Sequence, residues 1–252
     1  MVKNMLTNKI AIVTGANRGI GAAIVEKFAE NHCTVYACAR NQSEQFEQNI
    51  EEISKITGSI IKPVYFDVSD RDAVKNAIKE IGKETKQIDI LVNNAGVSVE
   101  GILSMTSMSV MENTFDINCI SQVHVSQLIS RYMMKQKSGV IVNIASVSGV
   151  CPEEGGMAYG SSKAALIFAT KTMALELGYY GIRVNAISPG FINTDMWAKR
   201  SEELKSRLIS ETPLRRQGEV EEVANVALFL ASDLSSYMTG QNLIVDGGRK
   251  VR

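Results

Sequence analysis

The order of apolar segments limits the fold of this chain more than any other feature. Short apolar runs predict seven β-strands, at 9–13, 34–39, 60–66, 89–93, 139–144, 182–188 and 242–246. Between them, apolar residues recur every three or four positions, which predicts helices at 22–30, 43–56, 71–84, 107–135, 158–177 and 220–231. Strands that alternate with helices indicate an α/β fold, in which a doubly wound, seven-stranded parallel sheet carries helices on both faces.

The composition favours one large domain. The 252 residues are 45% hydrophobic, and no repeat or flexible linker interrupts them, so we predict a single domain over residues 1–252. The 27 basic and 27 acidic residues cancel, which argues against nucleic acid and an anionic membrane surface as partners. We expect a cytoplasmic protein, because the N-terminal apolar run is too short for a signal peptide and no segment reaches the ~20 apolar residues of a membrane span.

Residues that bind metals are few. The two histidines and the four cysteines (Cys33, Cys38, Cys119 and Cys151) show no ligand spacing such as Cys-x-x-Cys, so we expect no metal site. The cysteines are predicted to be free thiols, most of them buried.

The stretch TGANRGIG, at 14–21, joins the first predicted strand to the first predicted helix. Glycine lets backbone N–H groups approach an anion closely at a helix N-terminus, so Gly15, Gly19 and Gly21 predict a phosphate-binding loop. The loop lacks the Gly-Lys-Ser/Thr ending of a nucleoside triphosphate site, which favours a dinucleotide. Glycines can also end a strand for conformational reasons alone, so the prediction depends on the position between strand and helix.

Two arginines favour NADP(H) over NAD(H). An NAD site usually carries an acidic residue about 20 residues beyond the loop, but this chain has Ala39 and Arg40 there. The guanidinium groups of Arg18 and Arg40 are suited to bind a 2′-phosphate together. The alternative is that both are ordinary surface arginines.

Three further side chains predict carbonyl chemistry. Tyr159 and Lys163 lie four residues apart in a predicted helix and therefore project toward one site. The ammonium group of Lys163 is expected to lower the pKa of Tyr159 and make it an effective proton donor. Ser146 follows the strand at 139–144, at the sheet edge where open α/β folds bind ligands, and its hydroxyl is expected to hold a substrate carbonyl. With no histidine to activate Ser146, a hydrolase is not expected.

Together with DV at 67–68, NNAG at 93–96 and PGFINT at 189–194, these motifs resemble those of the short-chain dehydrogenase/reductase family over nearly the whole chain. The stretches ANVALFLASD and MTGQNLIVDGG make the chain most similar to the bacterial members that reduce 3-oxoacyl groups on acyl carrier protein. The resemblance implies a Rossmann-type oxidoreductase that uses NADP(H). It also implies a homotetramer, with the helices near 107–135 and 158–177 in one interface and the C-terminal strand in another.

The resemblance assigns roles to individual residues. The catalytic set expected from it is Asn118, Ser146, Tyr159 and Lys163. The expected cofactor-binding set is Gly15, Asn17, Arg18, Gly19, Ile20, Gly21, Arg40, Asp67, Val68, Asn94, Ala95, Gly96, Tyr159, Lys163, Pro189, Gly190, Ile192 and Thr194. Asn118 is expected to kink its helix and hold a water linked to Lys163, although a hydrogen bond to its own helix backbone is the alternative. A substrate lid is expected near 194–212.

The expected carrier-protein surface departs from the family pattern. Related reductases offer arginines beside the active-site mouth, and at the matching positions this chain has Lys137 and Tyr180. A lysine keeps the charge but loses the bidentate fork, so we expect weaker electrostatic steering of the acidic carrier protein. Nearby cations such as Arg131, Lys135 or Lys171 are an alternative source of charge.

Other functions stay open at this point. One is NADP-dependent reduction of a small ketone, a sugar-derived carbonyl or a steroid, and another is a non-catalytic regulator that binds NADP. The methionines in ILSMTSMSVM (102–111), with Met133 and Met134, are expected to fill the core or an interface, with a substrate surface as the alternative.

Overall fold

The computed structural model describes residues 4–195 and 201–249. Its sheet contains β1 (Ile10–Thr14), β2 (Thr34–Ala39), β3 (Ile61–Tyr65), β4 (Ile90–Asn93), β5 (Gly139–Ile144), β6 (Ile182–Pro189) and β7 (Asn242–Val245). All neighbouring strands are parallel, in the order β3-β2-β1-β4-β5-β6-β7. The predicted fold class is therefore confirmed. The strand order changes direction between β1 and β4, and in such sheets ligands bind beside the carboxyl ends of the strands at this switch point.

The α-helices within the described ranges are α1 (Gly19–Ala29), α2 (Glu44–Thr57), α3 (Arg71–Thr85), α4 (Met108–Phe115), α5 (Ser121–Gln136), α6 (Met157–Leu177), α7 (Glu202–Glu211) and α8 (Val220–Ala231). None of them is long and apolar enough to span a membrane. Two differ from the segments that periodicity predicted, although the first difference falls at Asn118, where a kink was expected. A π-helical segment, Asp116–Ile120, divides the helix predicted at 107–135 into α4 and α5. Helix α7 forms part of the segment predicted only as a lid, and residues 196–200 of that segment lie outside the described residues.

Each strand contributes side chains to two apolar layers, because successive side chains point to opposite faces of a sheet. In β1, Ala11 and Val13 join the layer covered by α1, α2 and α8, whereas Ile12 joins the layer covered by α3, α5 and α6. Phe28 on α1 and Ile129 on α5 are fully buried, one in each layer. The sheet is thus a rigid support whose carboxyl edge carries the loops described below.

All four cysteines are free thiols. Cys33 and Cys38 are buried, whereas Cys119 and Cys151 are half-buried, so the expectation of mostly buried thiols holds for the first two.

Candidate active site

The glycine-rich loop leads directly into α1. Gly15 and Gly19 adopt positive φ angles of 64° and 55°, which favour glycine, and a Cβ at Gly21 would lie 2.1 Å from the carbonyl oxygen of Gly15. Ser43 and Asp70 cap α2 and α3 with their side chains, but no described side chain caps α1. The N–H groups of its first turn are left for a ligand, at the positive end of the helix dipole.

The NNAG segment holds this loop in place. The side-chain nitrogen of Asn94 donates to the carbonyl oxygens of Thr14 at 3.0 Å and Gly15 at 2.9 Å, and its backbone N–H donates to Thr14 Oγ1 at 3.0 Å. The Asn94 side chain therefore shapes the loop, while Ala95 and Gly96 present backbone to the adjacent cavity.

Ser146, Tyr159 and Lys163 meet beyond the end of β5. Ser146 Oγ accepts a hydrogen bond from the backbone N–H of Ser148 at 3.2 Å, which leaves the serine O–H able to donate. The Lys163 side chain is buried, and its Nζ donates to the carbonyl oxygen of Ile144 at 2.8 Å. The same Nζ lies 6.0 Å from the centre of the Tyr159 ring.

Two glycines that the sequence analysis missed bring α6 to this position. A Cβ at Gly160 would lie 2.7 Å from the carbonyl oxygen of Ser148, and one at Gly149 would lie 2.7 Å from the backbone nitrogen of Ala164. Helix α6 can therefore approach the turn after β5 closely enough to place Tyr159 beside Ser146. The glycine immediately after Tyr159 was a usable signal, because glycine inside a helix costs about 1 kcal/mol relative to alanine.

The pKa of Tyr159 is shifted in the direction opposite to our expectation. Burial raises it, the Ser146 hydrogen bond lowers it, and the carboxylate of Glu153 raises it further. Lys163 does not offset this because its ammonium group is directed to Ile144, and burial lowers its own pKa to about 8. The phenol is therefore protonated at neutral pH.

Asn118 lies in the π-helical segment and is fully buried. Its Oδ1 accepts from the backbone N–H of Val97 at 2.8 Å, and its Nδ2 donates to the carbonyl oxygen of Val97 at 2.9 Å and to Ser162 Oγ at 3.0 Å. These bonds go to another loop and to α6, not to the backbone of its own helix. A Cβ at Gly96 would approach both Asn118 Oδ1, at 3.0 Å, and Lys163 Nζ, at 3.4 Å, so these two groups face the same point. The water that would link them stays a prediction.

A cavity of about 1040 Å³ joins the loop to the three polar side chains. The predicted site residues that line it are Gly15, Asn17, Arg18, Gly19, Ile20, Asn94, Ala95, Gly96, Ser146, Tyr159, Lys163, Pro189, Gly190, Ile192 and Thr194. Those that do not are Gly21, beneath the loop, Asn118, and the residues after β2 and β3: Arg40, Asp67 and Val68.

The residues after β2 and β3 lie along the carboxyl edge of the sheet, as the glycine-rich loop after β1 does. Asp67 accepts from the hydroxyl and the backbone N–H of Ser69, at 2.7 and 2.9 Å. These bonds lower the pKa of Asp67, and the Arg40 guanidinium lowers it further, which places Arg40 beside an ionised carboxylate. The side chain of Arg18 is exposed, with Nη1 3.5 Å from Asp195 Oδ2. Binding of a cofactor by these residues stays a prediction.

The cavity is also lined by charged residues that no sequence motif indicated. Glu153, from the loop before α6, and Glu211, at the end of α7, both pair with Arg249, which follows β7. These residues are too far apart in sequence to form a recognisable spacing, so only the structure reveals the cluster.

Exposed apolar side chains lie nearby. Gly101 pairs with Gly156 of the cavity wall, and the residues that follow include Leu103, Met105 and Met108, exposed by 71%, 80% and 68%. Met105 and Met108 are therefore not core residues, whereas Met133 is fully buried as expected.

The placement expected for Lys137 and Tyr180 is wrong for a single chain. Lys137 caps the end of α5 just before β5, and Tyr180 lies just before β6, so both are at the amino edge of the sheet. Ser146 follows the carboxyl end of β5, and a strand of this length spans about 20 Å. The alternatives Arg131 and Lys135 lie in the last turns of α5, toward the same amino edge.

Comparison with known proteins relates the chain to characterised sequences. The profile of the family described as "Enoyl-(Acyl carrier protein) reductase" matches residues 15–250. A 3-oxoacyl-(acyl-carrier-protein) reductase from Thermotoga maritima is 40% identical, over 96% of this chain and 98% of its own length. A 3α-hydroxysteroid dehydrogenase from Mediterraneibacter gnavus is 39% identical over 98% of both chains.

Solved structures of similar proteins have the same fold as this chain. A 3-oxoacyl-(acyl-carrier protein) reductase from Brucella melitensis superposes with a TM-score of 0.92 and 35% identity, covering 98% of this chain and 92% of the other. A 7α-hydroxysteroid dehydrogenase in complex with NADH and 7-oxo-glycochenodeoxycholic acid has a TM-score of 0.93 and 33% identity, with 98% of both chains covered.

Proposed function

The chain belongs to the short-chain dehydrogenase/reductase family, and on that premise we propose that it reduces the 3-oxo group of an acyl thioester on acyl carrier protein, with NADPH as the hydride donor. The predicted class, an oxidoreductase acting on C–OH and C=O groups, is confirmed by this membership. One observation carries the proposal: Ser146, Tyr159 and Lys163 line the same cavity as the glycine-rich loop. Loss of NADPH absorbance on addition of a 3-oxoacyl carrier protein tests it directly.

The residues present fit a dinucleotide. A side chain at Gly21 would meet the carbonyl oxygen of Gly15, so only glycine lets the loop lie this close to the start of α1, whose uncapped first turn offers N–H groups to a pyrophosphate. Ile192 and Thr194, which also line the cavity, would hold the nicotinamide amide. When bound, the nicotinamide supplies a hydride.

Ser146, Tyr159 and Lys163 have separate roles in the reduction of the carbonyl group. The Ser146 O–H donates to the substrate oxygen and fixes its position. Tyr159 transfers its phenolic proton to that oxygen as negative charge develops there. The Lys163 ammonium group favours the phenolate that is left behind. The raised pKa keeps Tyr159 protonated before the reaction, as a proton donor has to be.

Cofactor choice gives a first testable prediction. Arg40→Ala is expected to weaken NADPH binding roughly 10- to 150-fold and to change NADH binding little, because a charge-assisted hydrogen bond is worth about 1.5–3 kcal/mol and NADH has no 2′-phosphate. Titration of the protein with each cofactor measures this. Arg131→Ala, an exposed arginine on α5, is the matched control. Equal affinities of the unaltered protein for both cofactors would contradict the assignment of NADPH.

The carrier protein gives a second prediction. Arg207 lies at the cavity with its side chain 68% exposed, so Arg207→Gln is expected to raise the Michaelis constant for a carrier-bound 3-oxoacyl group several-fold at low salt. The Michaelis constant for a carrier-free thioester of the same acyl group should change much less, because it lacks the acidic carrier. Lys79→Gln, an exposed lysine on α3, is the control.

Because Lys137 lies at the amino edge of the sheet, Lys137→Glu is predicted to leave the Michaelis constants for carrier-bound and carrier-free substrates unchanged in an isolated chain. An increase for the carrier-bound substrate alone would mean that a second copy of the chain brings Lys137 to the mouth. No difference between carrier-bound and carrier-free substrates in any variant would count against carrier recognition.

A steroid ketone is the second candidate substrate. Two similar proteins are named hydroxysteroid dehydrogenases, and exposed apolar side chains of Ile102, Leu103 and Met105 lie next to the cavity wall. Catalytic efficiencies for a 3-oxoacyl thioester, an enoyl thioester, a small ketone and a steroid ketone would rank the candidates.

We propose a homotetramer for the assembly. Ile120, Phe168 and Leu175 expose apolar side chains on the helical face expected to pair, and a face of this kind is more often covered in an oligomer. Sedimentation velocity measures the size in solution.

A further inference from the structure

Arg249 joins two acidic residues in the wall of the cavity. Its Nη1 lies 3.2 Å from Glu153 Oε1, and its Nη2 lies 3.1 Å from Glu211 Oε2. The Arg249 side chain is only 13% exposed, so solvent screens these pairs less than ordinary surface pairs. Arg207 Nε lies 3.8 Å from Glu211 Oε1 as well, so Glu211 faces two guanidinium groups and Arg249 faces two carboxylates.

Glu153 connects this cluster to the catalytic side chains. Ser148 Oγ donates to Glu153 Oε2 at 3.0 Å, and the backbone N–H of Ser148 donates to Ser146 Oγ at 3.2 Å. Glu153 and Tyr159 both line the cavity, and they flank the start of α6. The carboxylate of Glu153 is thus held on the side of the cavity where the phenol lies.

Glu211 connects the cluster to α7. It is the last residue of that helix, whose Leu208 is buried and lines the cavity together with Leu204. The cluster therefore ties together three segments: the loop before α6, the chain after β7, and α7.

We propose that Glu153 and Arg249 are positioning residues for the reduction: Glu153 places a negative charge that holds the proton on Tyr159, Arg249 limits that charge, and Glu211 links both to the position of α7. The proposal rests on the proposed function, because it takes Tyr159 as the proton donor.

The physical basis is the electrostatic effect of each charge on the phenol. A nearby carboxylate disfavours the phenolate, and the Glu153 carboxylate raises the pKa of Tyr159. Lys163 faces the phenol from α6, with its Nζ 6.0 Å from the centre of the Tyr159 ring. The other charged residues along the cavity wall are Arg18, Glu100, Glu154, Asp195 and Arg207. They stay unchanged in every variant below, so a difference between variants reports on Glu153, Arg249 or Glu211.

The test is the pH dependence of kcat/KM for carbonyl reduction, which falls as the donor loses its proton. Glu153→Gln is expected to move the falling limb to lower pH by about half a unit. Arg249→Gln is expected to move it to higher pH by a similar amount, because the Arg249 guanidinium then no longer offsets the negative charge of Glu153. A lost negative charge lowers the pKa of a nearby phenol and of a nearby ammonium group alike, so the direction is the same whether Tyr159 or Lys163 sets the limb.

Three further variants separate charge from folding. Arg249→Lys keeps the charge and should restore the limb toward that of the unaltered protein. Glu211→Gln keeps the Glu153 pair but releases α7, so it should raise KM without moving the limb to higher pH. Glu176→Gln, 17 positions further along α6 and about 25 Å from Tyr159, is the matched control and should leave the profile unchanged.

Opposite shifts in Glu153→Gln and Arg249→Gln support the proposal. Superimposable profiles, or shifts of the same sign, overturn it even when the enzyme is active. Failure of the proposed function would look different: the unaltered protein would show no reduction, or Tyr159→Phe would retain it.

Discussion

Tyr159→Phe is expected to lower the turnover number for carbonyl reduction by about 10²- to 10⁴-fold, the range usually lost with a general acid. The substitution removes one hydroxyl and hardly changes the volume of the ring. The phosphate loop and the buried Lys163 are untouched, so NADPH should bind almost as before. Steady-state kinetics measures the turnover, and the rise in melting temperature with saturating NADPH measures binding by linkage.

The control for this variant is Tyr237→Phe, which removes a hydroxyl from a fully exposed tyrosine. It should match the unaltered protein in both measurements. If Tyr159→Phe keeps more than a few per cent of the turnover, Tyr159 is not the proton donor.

Lys163→Ala is expected to lower the turnover number by a similar factor. Unlike Tyr159→Phe, it should also weaken NADPH binding. In the proposed mechanism the ammonium group stabilises the phenolate that reduction produces, and the family resemblance implies that it also binds the nicotinamide ribose. The two variants therefore differ in the NADPH-dependent rise in melting temperature, which Tyr159→Phe retains and Lys163→Ala loses. Lys171→Ala, an exposed lysine on the same helix, is the control and should lose neither property.

The same variant also predicts a change in the pH dependence of stability. Burial lowers the pKa of Lys163 to about 8 from 10.5, so between these values the unfolded chain binds a proton that the folded protein does not. The free energy of unfolding of the unaltered protein should therefore rise with pH through this window, relative to Lys163→Ala, by up to about 3 kcal/mol. Below pH 8 the difference should be constant. If the free energies of unfolding of the two proteins change with pH in parallel from pH 7 to 10.5, the amine of Lys163 is not buried as described.

The substitution also removes the donor to the carbonyl oxygen of Ile144, at a cost of about 1–3 kcal/mol that does not depend on pH. The slope of stability against pH, and not its value at one pH, is for this reason the informative quantity.

The fold and the centre of the site could be predicted because their signals are local. The strand period of two and the helix period of three to four are visible in short windows, and they predicted every strand within one residue at each end. The glycines of the phosphate loop and the spacing of Tyr159 and Lys163 are equally local. Ser146 was found because it follows a predicted strand, and parallel strands all end at one edge.

Other features depend on residues that are distant in the chain. The π-helical break in the segment 107–135 is accompanied by bonds from Asn118 to Val97 and Ser162, and no periodicity reports such contacts. The link between helix α7 and Arg249 depends on the segment after β7, which returns to the cavity.

The sequence by itself determined which residues could do chemistry, because residue type and spacing decide what a side chain can donate, accept or bind. Only the tertiary structure decided their electrostatic state and their position. Burial and Glu153 raise the pKa of Tyr159, although the sequence pairs it with a lysine. Lys137 lies at the amino edge of the sheet, although the family pattern suggested the mouth of the site. Burial and distance are properties of the whole packed chain, and a one-dimensional pattern does not contain them.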